Sequence, residues 1–214
     1  MPNFIALDLA LLPHEKHQDN LVRWNHELYQ KGKVGYLFDA NHLPHLTLFQ
    51  NFIIEDDIEP LICDLNRLSI SNKLSEISSK EFSSSAYKDN SSVVMLNFFK
   101  SDELTHLQKK VHKIFEKYSQ TPELNSALMA FNQQPITEAV DWIQNFHKKA
   151  SLSNFSPHIT LGFSQIEQEA IQQWNLQIES PWQFSNIALS QMGNYCSMSN
   201  TTFWEQKIET YNCQ

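Results

Sequence analysis

The sequence predicts an α+β fold of two pseudo-symmetric lobes, each an antiparallel sheet with helices packed outside, and a cleft between them. Three observations carry this expectation. A short phrase occurs twice: Pro44-His45-Leu46-Thr47-Leu48-Phe49 returns, with one residue inserted, as Pro157-His158-Ile159-Thr160-Leu161-Gly162-Phe163. Around each copy, stretches that alternate apolar and polar residues are interleaved with stretches whose apolar residues recur every three to four positions. The 214 residues include only four glycines and eight prolines, which leaves little for linkers. Residues 1–214 therefore read as one bilobal domain, with the first motif at 45–47 and the second at 158–160.

The elements follow in order. Phe4–Leu12 alternates as a strand, with Ile5, Leu7, Leu9 and Leu11 on one face and Ala6, Asp8 and Ala10 on the other. Pro13 opens a helix to about Lys31, with Leu21, Trp24 and Leu28 at helical spacing and Gly32 as its stop. Leu43–Phe52 holds the first phrase as a strand, and Asp56–Leu68 reads as a helix striped by Ile58, Leu61, Ile62, Leu65 and Leu68. Glu76–Ser83 and Ser92–Phe99 are the next strands, joined across the polar stretch Ser84–Ser91. Ser101 suits the N-cap of a helix to about Tyr118 with Leu104, Leu107, Val111 and Phe115 inward. The polar run from Gln120 to Gln134 carries Leu124, Leu128 and Met129, enough for one turn of helix. Ile136–Ala150 is a helix with Ala139, Val140, Ile143 and Phe146 inward. The second phrase forms a strand, Glu167–Trp174 a short helix, and Phe184–Gln191 and Thr202–Ile208 the closing strands.

Composition narrows the partners. The formal net charge is −8, and the only arginines are Arg23 and Arg67. An extended duplex needs many phosphates neutralised by a basic surface, which this chain lacks. Lys109, Lys110, Lys113 and Lys117, with Lys148 and Lys149, read as solvated helix faces. A small phosphorylated nucleotide or an RNA terminus is the easier ligand. The apolar run Phe4–Leu12 is too short for a membrane span and contains Asp8, so no membrane partner is expected. Three scattered cysteines, Cys63, Cys196 and Cys213, suit reduced thiols in a cytoplasmic protein, and a monomer is expected.

The repeated phrase carries the chemistry. In a strand, His45 and Thr47 share one face, as do His158 and Thr160, while the apolar residues between them point the other way. A cleft receiving both strands holds two imidazoles and two hydroxyls. Cleaving a phosphodiester needs a base for the attacking water or hydroxyl and an acid for the leaving oxygen. Histidine serves either role near neutrality. Thr47 and Thr160 can supply donors to the phosphoryl oxygens, where negative charge gathers. No metal or other cofactor is needed: His42 lies three residues before His45, but Pro44 intervenes and no third ligand is suitably spaced. The remaining histidines, at 14, 17, 26, 106, 112 and 147, fall on helices or their edges and read as packing or solvent-facing groups.

These residues resemble the 2H phosphoesterase superfamily, named for two His-x-(Thr/Ser) motifs with an apolar middle residue. Its members include the RNA 2′,3′-cyclic phosphodiesterases long called 2′-5′ RNA ligases. The resemblance covers the whole chain in element order, but its specificity rests on His45-Leu46-Thr47 and His158-Ile159-Thr160. It implies metal-independent hydrolysis of a cyclic phosphate, foremost a nucleoside or RNA-terminal 2′,3′-cyclic phosphate. Alternatives are a 2′,5′-phosphodiesterase acting on short oligoadenylates, hydrolysis of ADP-ribose cyclic phosphate, or a non-catalytic module that binds a nucleotide or RNA end. Carried over from members that act on RNA ends, His45 is the acid and His158 the base, although the two phrases alone leave that direction open. Relatives acting on RNA often place an arginine shortly after a motif; here Leu48-Phe49-Gln50 and Leu161-Gly162-Phe163 stand instead. Parity puts Phe49 on the His45 face, to stack on a base or ribose unless it packs in the core. The segment Met192-Gly193-Asn194-Tyr195 resembles a turn near the cleft in some relatives, which makes Tyr195 a second candidate contact.

Overall fold

The period-two pattern at the N-terminus folds as expected, into a strand whose leucines and alanines part to opposite faces. In the computed structural model, residues 3–87, 91–122, 127–164 and 168–209 are described. Their strands and α-helices are, in chain order, β1 (Phe4–Pro13), α1 (Gln18–Gly32), β2 (His42–Leu43), β3 (Leu46–Ile54), α2 (Ile58–Leu65), β4 (Glu76–Ile77), β5 (Ser79–Ala86) and β6 (Ser92–Phe98). Then follow α3 (Asp102–Phe115), β7 (Ala127–Leu128), α4 (Thr137–Gln144), α5 (Phe146–Lys149), β8 (His158–Ser164), α6 (Gln168–Asn175), β9 (Trp182–Met192) and β10 (Met198–Lys207). The chain is thus α+β.

The strands run in the order β2-β10-β9-β1-β3-β8-β6-β5, with β4 added on β9 and β7 on β1. Every neighbouring pair is antiparallel except β1–β7. A single registered pair, Leu46↔Ile159, joins β3 to β8. There the sheet divides into a run of five strands and a run of three, so the two motif strands stand at the division. The division does not follow the halves of the chain. The first half sends β5 and β6 to the smaller run, and the second half sends β9 and β10 to the larger.

The two faces of β1 serve different purposes. Leu7, Leu9 and Leu11 enter the main core with Leu21, Trp24 and Leu28 of α1, Leu61 and Leu65 of α2 and Leu104, Val111 and Phe115 of α3. On the opposite face Ala6 packs with Phe52, Met129 and the α4 residues Ala139, Val140 and Ile143, while Ala10 packs with Ala188 and Met198. Asp8 lies between those two small clusters.

Several boundaries differ from expectation for local reasons. Pro13 ends β1 opposite Phe184 instead of opening α1, which waits for a turn at Glu15–His17. Pro44, with no N–H to donate, separates β2 from β3 where one strand was expected. The helix expected over Ile136–Ala150 breaks at Asn145, whose amide turns back onto Asp141 and competes with the helical ladder. Instead of a turn of helix, Ala127 and Leu128 pair with Phe4 and Ile5 as β7. Leu124, Glu167 and Cys213, on which other expectations rested, lie outside the described residues. Ser101 does cap α3, accepting from the Leu104 amide at 3.1 Å.

Candidate functional site

Both histidines are set by the same local device. A proline precedes each, fixing its own φ and biasing the residue before it toward extended backbone. That residue presents its own carbonyl to the ring: His45 Nδ1 donates to Leu43 O at 2.8 Å, and His158 Nδ1 donates to Ser156 O at 2.7 Å. A carbonyl only accepts, so each ring is held with a proton on Nδ1, which leaves Nε2 as the nitrogen that can gain or lose one. The pairing of Leu46 with Ile159 puts Thr160 across from His45 and Thr47 across from His158. Leu46 and Ile159 are fully buried behind them.

The surroundings of the two rings differ. Asp8, fully buried on β1, brings Oδ2 to 3.4 Å from His45 Nε2. The same oxygen accepts from Thr47 Oγ1 at 2.9 Å and from Gln50 Nε2 at 2.7 Å. Gln50 Oε1 in turn accepts from the indole N–H of Trp142, at 3.2 Å, on the partly exposed face of α4. Burial alone would lower the His45 pKa, but contact with Asp8, its charge and the Leu43 carbonyl outweigh it and hold the group above its ordinary value. His158 moves the other way. Its desolvation lowers the pKa and the charge of His45 adds to that, against a smaller opposing pull from the Ser156 carbonyl. The geometry therefore gives one imidazole that favours its proton and one that sheds it. Nearby, burial raises the Tyr36 hydroxyl, and it pushes the Cys196 thiol up to about 12, with Asp8's charge behind it, so both stay protonated.

No protein-family model and no curated protein matches the chain. Among solved structures it is similar to Escherichia coli LigT complexed with 3′-AMP, at a TM-score of 0.53 and 10% identity over 97% of this chain and 99% of that one. LigT complexed with phosphate gives a TM-score of 0.47 at 11% identity, covering 96% and 98% of the two chains. Kluyveromyces marxianus Usb1 gives 0.40 at 11% identity, covering 97% and 98%.

The protein has the fold of LigT. In this fold the two motif strands share a feature that the phrase does not announce. Each bulges at the leucine after its threonine: β3 pairs Thr47 with Ala10 but Phe49 with Leu9, and β8 pairs Thr160 with Met95 but Gly162 with Val94. The extra residue in each is Leu48 or Leu161, and both are fully buried.

The bulge overturns one expectation. It resets the parity of β3, so Phe49 does not follow Thr47 onto the His45 face. Phe49 is fully buried, against the rings of His112, Phe115 and Phe146 at 5.3, 4.9 and 5.6 Å, and is a core residue. Gln50 takes the place beside Thr47. In β8 the corresponding place falls to Phe163, because a side chain at Gly162 would face Leu28 and Asn25 of α1. Tyr195, in the turn after β9 with φ 59°, packs its ring 5.4 Å from Phe163, and Phe163 lies 4.8 Å from Tyr87.

Asp8, Gln50 and Trp142 are the residues sequence reasoning missed. For Asp8 a signal existed: a carboxylate between two alanines on the less apolar face of an otherwise apolar strand. His42 is engaged elsewhere, bonded to Asp39 at 3.0 Å and stacked between Tyr36 and Phe131. No group of three or more His, Cys, Asp or Glu side chains suited to a metal occurs among the described residues. No helix among them is long and apolar enough to cross a membrane.

Proposed function

We propose that the protein is a two-histidine phosphoesterase that hydrolyses a cyclic phosphate, foremost a 2′,3′-cyclic phosphate on a nucleoside or RNA end. The observation that carries this reading is the matched pair of clamped imidazoles with opposed electrostatics, flanked by two threonine hydroxyls. The fold shared with LigT, a protein solved with 3′-AMP, supports a nucleotide-sized phosphoester as ligand. The acidic balance favours such a ligand over a long polyanion.

In the proposed reaction His158 Nε2 takes a proton from water as the water oxygen bonds to phosphorus. The bond from phosphorus to one ribose oxygen breaks, and His45 Nε2–H protonates that oxygen as it leaves. The product is a phosphomonoester with a freed hydroxyl; His158 ends protonated and His45 neutral, and solvent exchange restores both. Thr160, whose hydroxyl has no partner among the described residues, donates to a phosphoryl oxygen. Thr47 does so by turning its proton from Asp8. Phe163 and Tyr195 offer an aromatic wall for the base. Each acid or base of this kind contributes about 10²–10⁴ in rate. A monomeric, single-domain chain acting without metal is part of the same reading.

The test is to incubate the purified protein, with chelator, with 2′,3′-cyclic nucleotides, a cyclic-phosphate-ended RNA and 2′,5′-oligoadenylate, and to identify the products. Chelator-resistant opening of the cyclic phosphate is the expected result. Preferred cleavage of the oligoadenylate would move the substrate to the 2′,5′ class. Tight nucleotide binding with no turnover of any of the three would leave a binding module.

A further inference from the structure

We propose that Asp8, held by Thr47 and Gln50 and through Gln50 by Trp142, is a positioning residue that makes His45 the acid of the pair. The inference rests on the two-histidine reading above and adds the group that breaks the symmetry between two almost identical motifs. The local phrases cannot break it, since each ring has the same carbonyl on Nδ1 at almost the same distance. What differs is the strand alongside. β3 lies against β1 and its Asp8, whereas β8 is flanked by β6, where Met95 stands opposite Thr160.

The geometry suits this role. At 3.4 Å the carboxylate lies beside Nε2, while the firm bond of that ring is the 2.8 Å one on Nδ1. Asp8 thus favours the protonated ring by charge and leaves the Nε2 proton for a leaving oxygen. Two hydrogen bonds on Oδ2 fix the carboxylate before substrate binds, and the 2.7 Å one from Gln50 stays when Thr47 turns to the phosphoryl oxygen; in low-dielectric surroundings that preorganisation matters more than in water. Gln50 can be oriented in only one way, donating to a carboxylate at one end and accepting from an indole at the other. The titratable groups around the pair are few. His158 faces His45 from β8; Tyr36 and Cys196 approach Asp8 and stay protonated; His42 is turned to Asp39.

Asp8→Asn is the decisive variant, because it removes the charge and keeps the shape. The amide oxygen can take both hydrogen bonds of Oδ2, and the amide nitrogen falls where Oδ1 has no protein partner. In the wild type, ring-proton NMR should show His45 titrating above the ordinary value of 6.5 and His158 below it. In Asp8→Asn the His45 midpoint should drop below 6.5, and the alkaline limb of the kcat/KM profile should move down with it. Turnover on the alkaline side should fall by about tenfold or more, since each unit of midpoint is tenfold in the protonated fraction, while KM changes little. Trp142→Phe, a change at the surface, should move the same limb in the same direction by less, and serves if Asp8→Asn does not fold. A folded Asp8→Asn protein with an unmoved His45 titration and an unmoved limb would overturn the proposal. A wild type that titrates as expected, loses the shift in Asp8→Asn and hydrolyses no phosphoester would sink the enzymatic reading instead and leave the Asp8–His45 coupling standing.

Discussion

At the scale of the residue, the site turns on how one side chain acquires two fates. His45 and His158 have the same predecessor, the same carbonyl clamp and the same threonine two places on, yet their midpoints move apart. Burial pushes both down, but Asp8 on the neighbouring strand overcomes it for His45, and among the described residues nothing of that kind opposes it at His158. Sequence reading reached the histidines and threonines because the phrase is written twice. It passed over Asp8, whose carboxylate in an apolar strand was a signal, and it could not reach Gln50, since only strand pairing brings positions 8 and 50 opposite each other. Phe49 shows the complementary failure: parity along a strand is a local rule, and one inserted residue reverses every face beyond it. The opposed midpoints predict a bell-shaped pH dependence for kcat/KM. Its acid limb, set by His158 losing its proton, should lie below 6.5 and its alkaline limb, set by His45, above. Activity that rises monotonically through neutrality would exclude the pair as complementary acid and base.

At the scale of the element, the bulges are what let a motif present its histidine and threonine on one face and pack on the other. Leu46, Leu48 and Phe49 all enter the core, a density that strict alternation would not allow. In β8 the bulge is fastened from outside. Asn25 of α1 donates to Leu161 O at 2.7 Å and to Tyr36 O at 3.0 Å, and its oxygen accepts from the Phe38 amide at 2.7 Å. This buried amide thus satisfies three backbone groups and ties α1 to the strand carrying His158. Asn25→Ala should cost about 2–4 kcal/mol, because it strands buried partners as well as removing bonds. Urea unfolding would measure it, and a loss under about 1 kcal/mol would mean that those backbone groups find other partners. Helix α1 itself was legible from Leu21, Trp24 and Leu28. Asn25 was not, for a polar residue in an apolar stripe has no partner until the fold supplies one.

At the scale of the whole molecule, the repeated phrase suggested two equivalent halves, and element order was read correctly over most of the chain. The strand order is less symmetric. β1 and β9 sit at the middle of the larger run, so the ends of the chain close over one motif while a hairpin from its middle flanks the other. Such interlacing is long-range and leaves no trace in local periodicity. Stability has its own pH dependence, separate from that of the two motif histidines. His17 is buried, stacked 4.2 Å from Trp182, and accepts from the Gln183 amide through Nε2 at 3.0 Å. Burial, with Lys16 and His14 nearby and against the pull of Glu179, lowers its pKa from 6.5 to about 4. A group depressed in the folded state binds its proton more readily when unfolded. Its contribution is therefore complete above pH 6.5 and is lost as the pH falls toward about 4. Chemical denaturation at a series of pH values should show that decline, and His17→Phe, though less stable at neutrality, should decline less steeply over the same range.

If two clamped imidazoles divide the work of acid and base as proposed, His45→Ala and His158→Ala measured side by side should reveal the division. The pair should be assayed on a 2′,3′-cyclic nucleotide and on an aryl phosphodiester whose leaving group needs no proton. Both variants should lose at least about 10² in turnover on the cyclic nucleotide. On the aryl ester His158→Ala should stay impaired while His45→Ala recovers most of the loss. Wild-type turnover of the cyclic nucleotide by either folded variant would remove that histidine from the reaction.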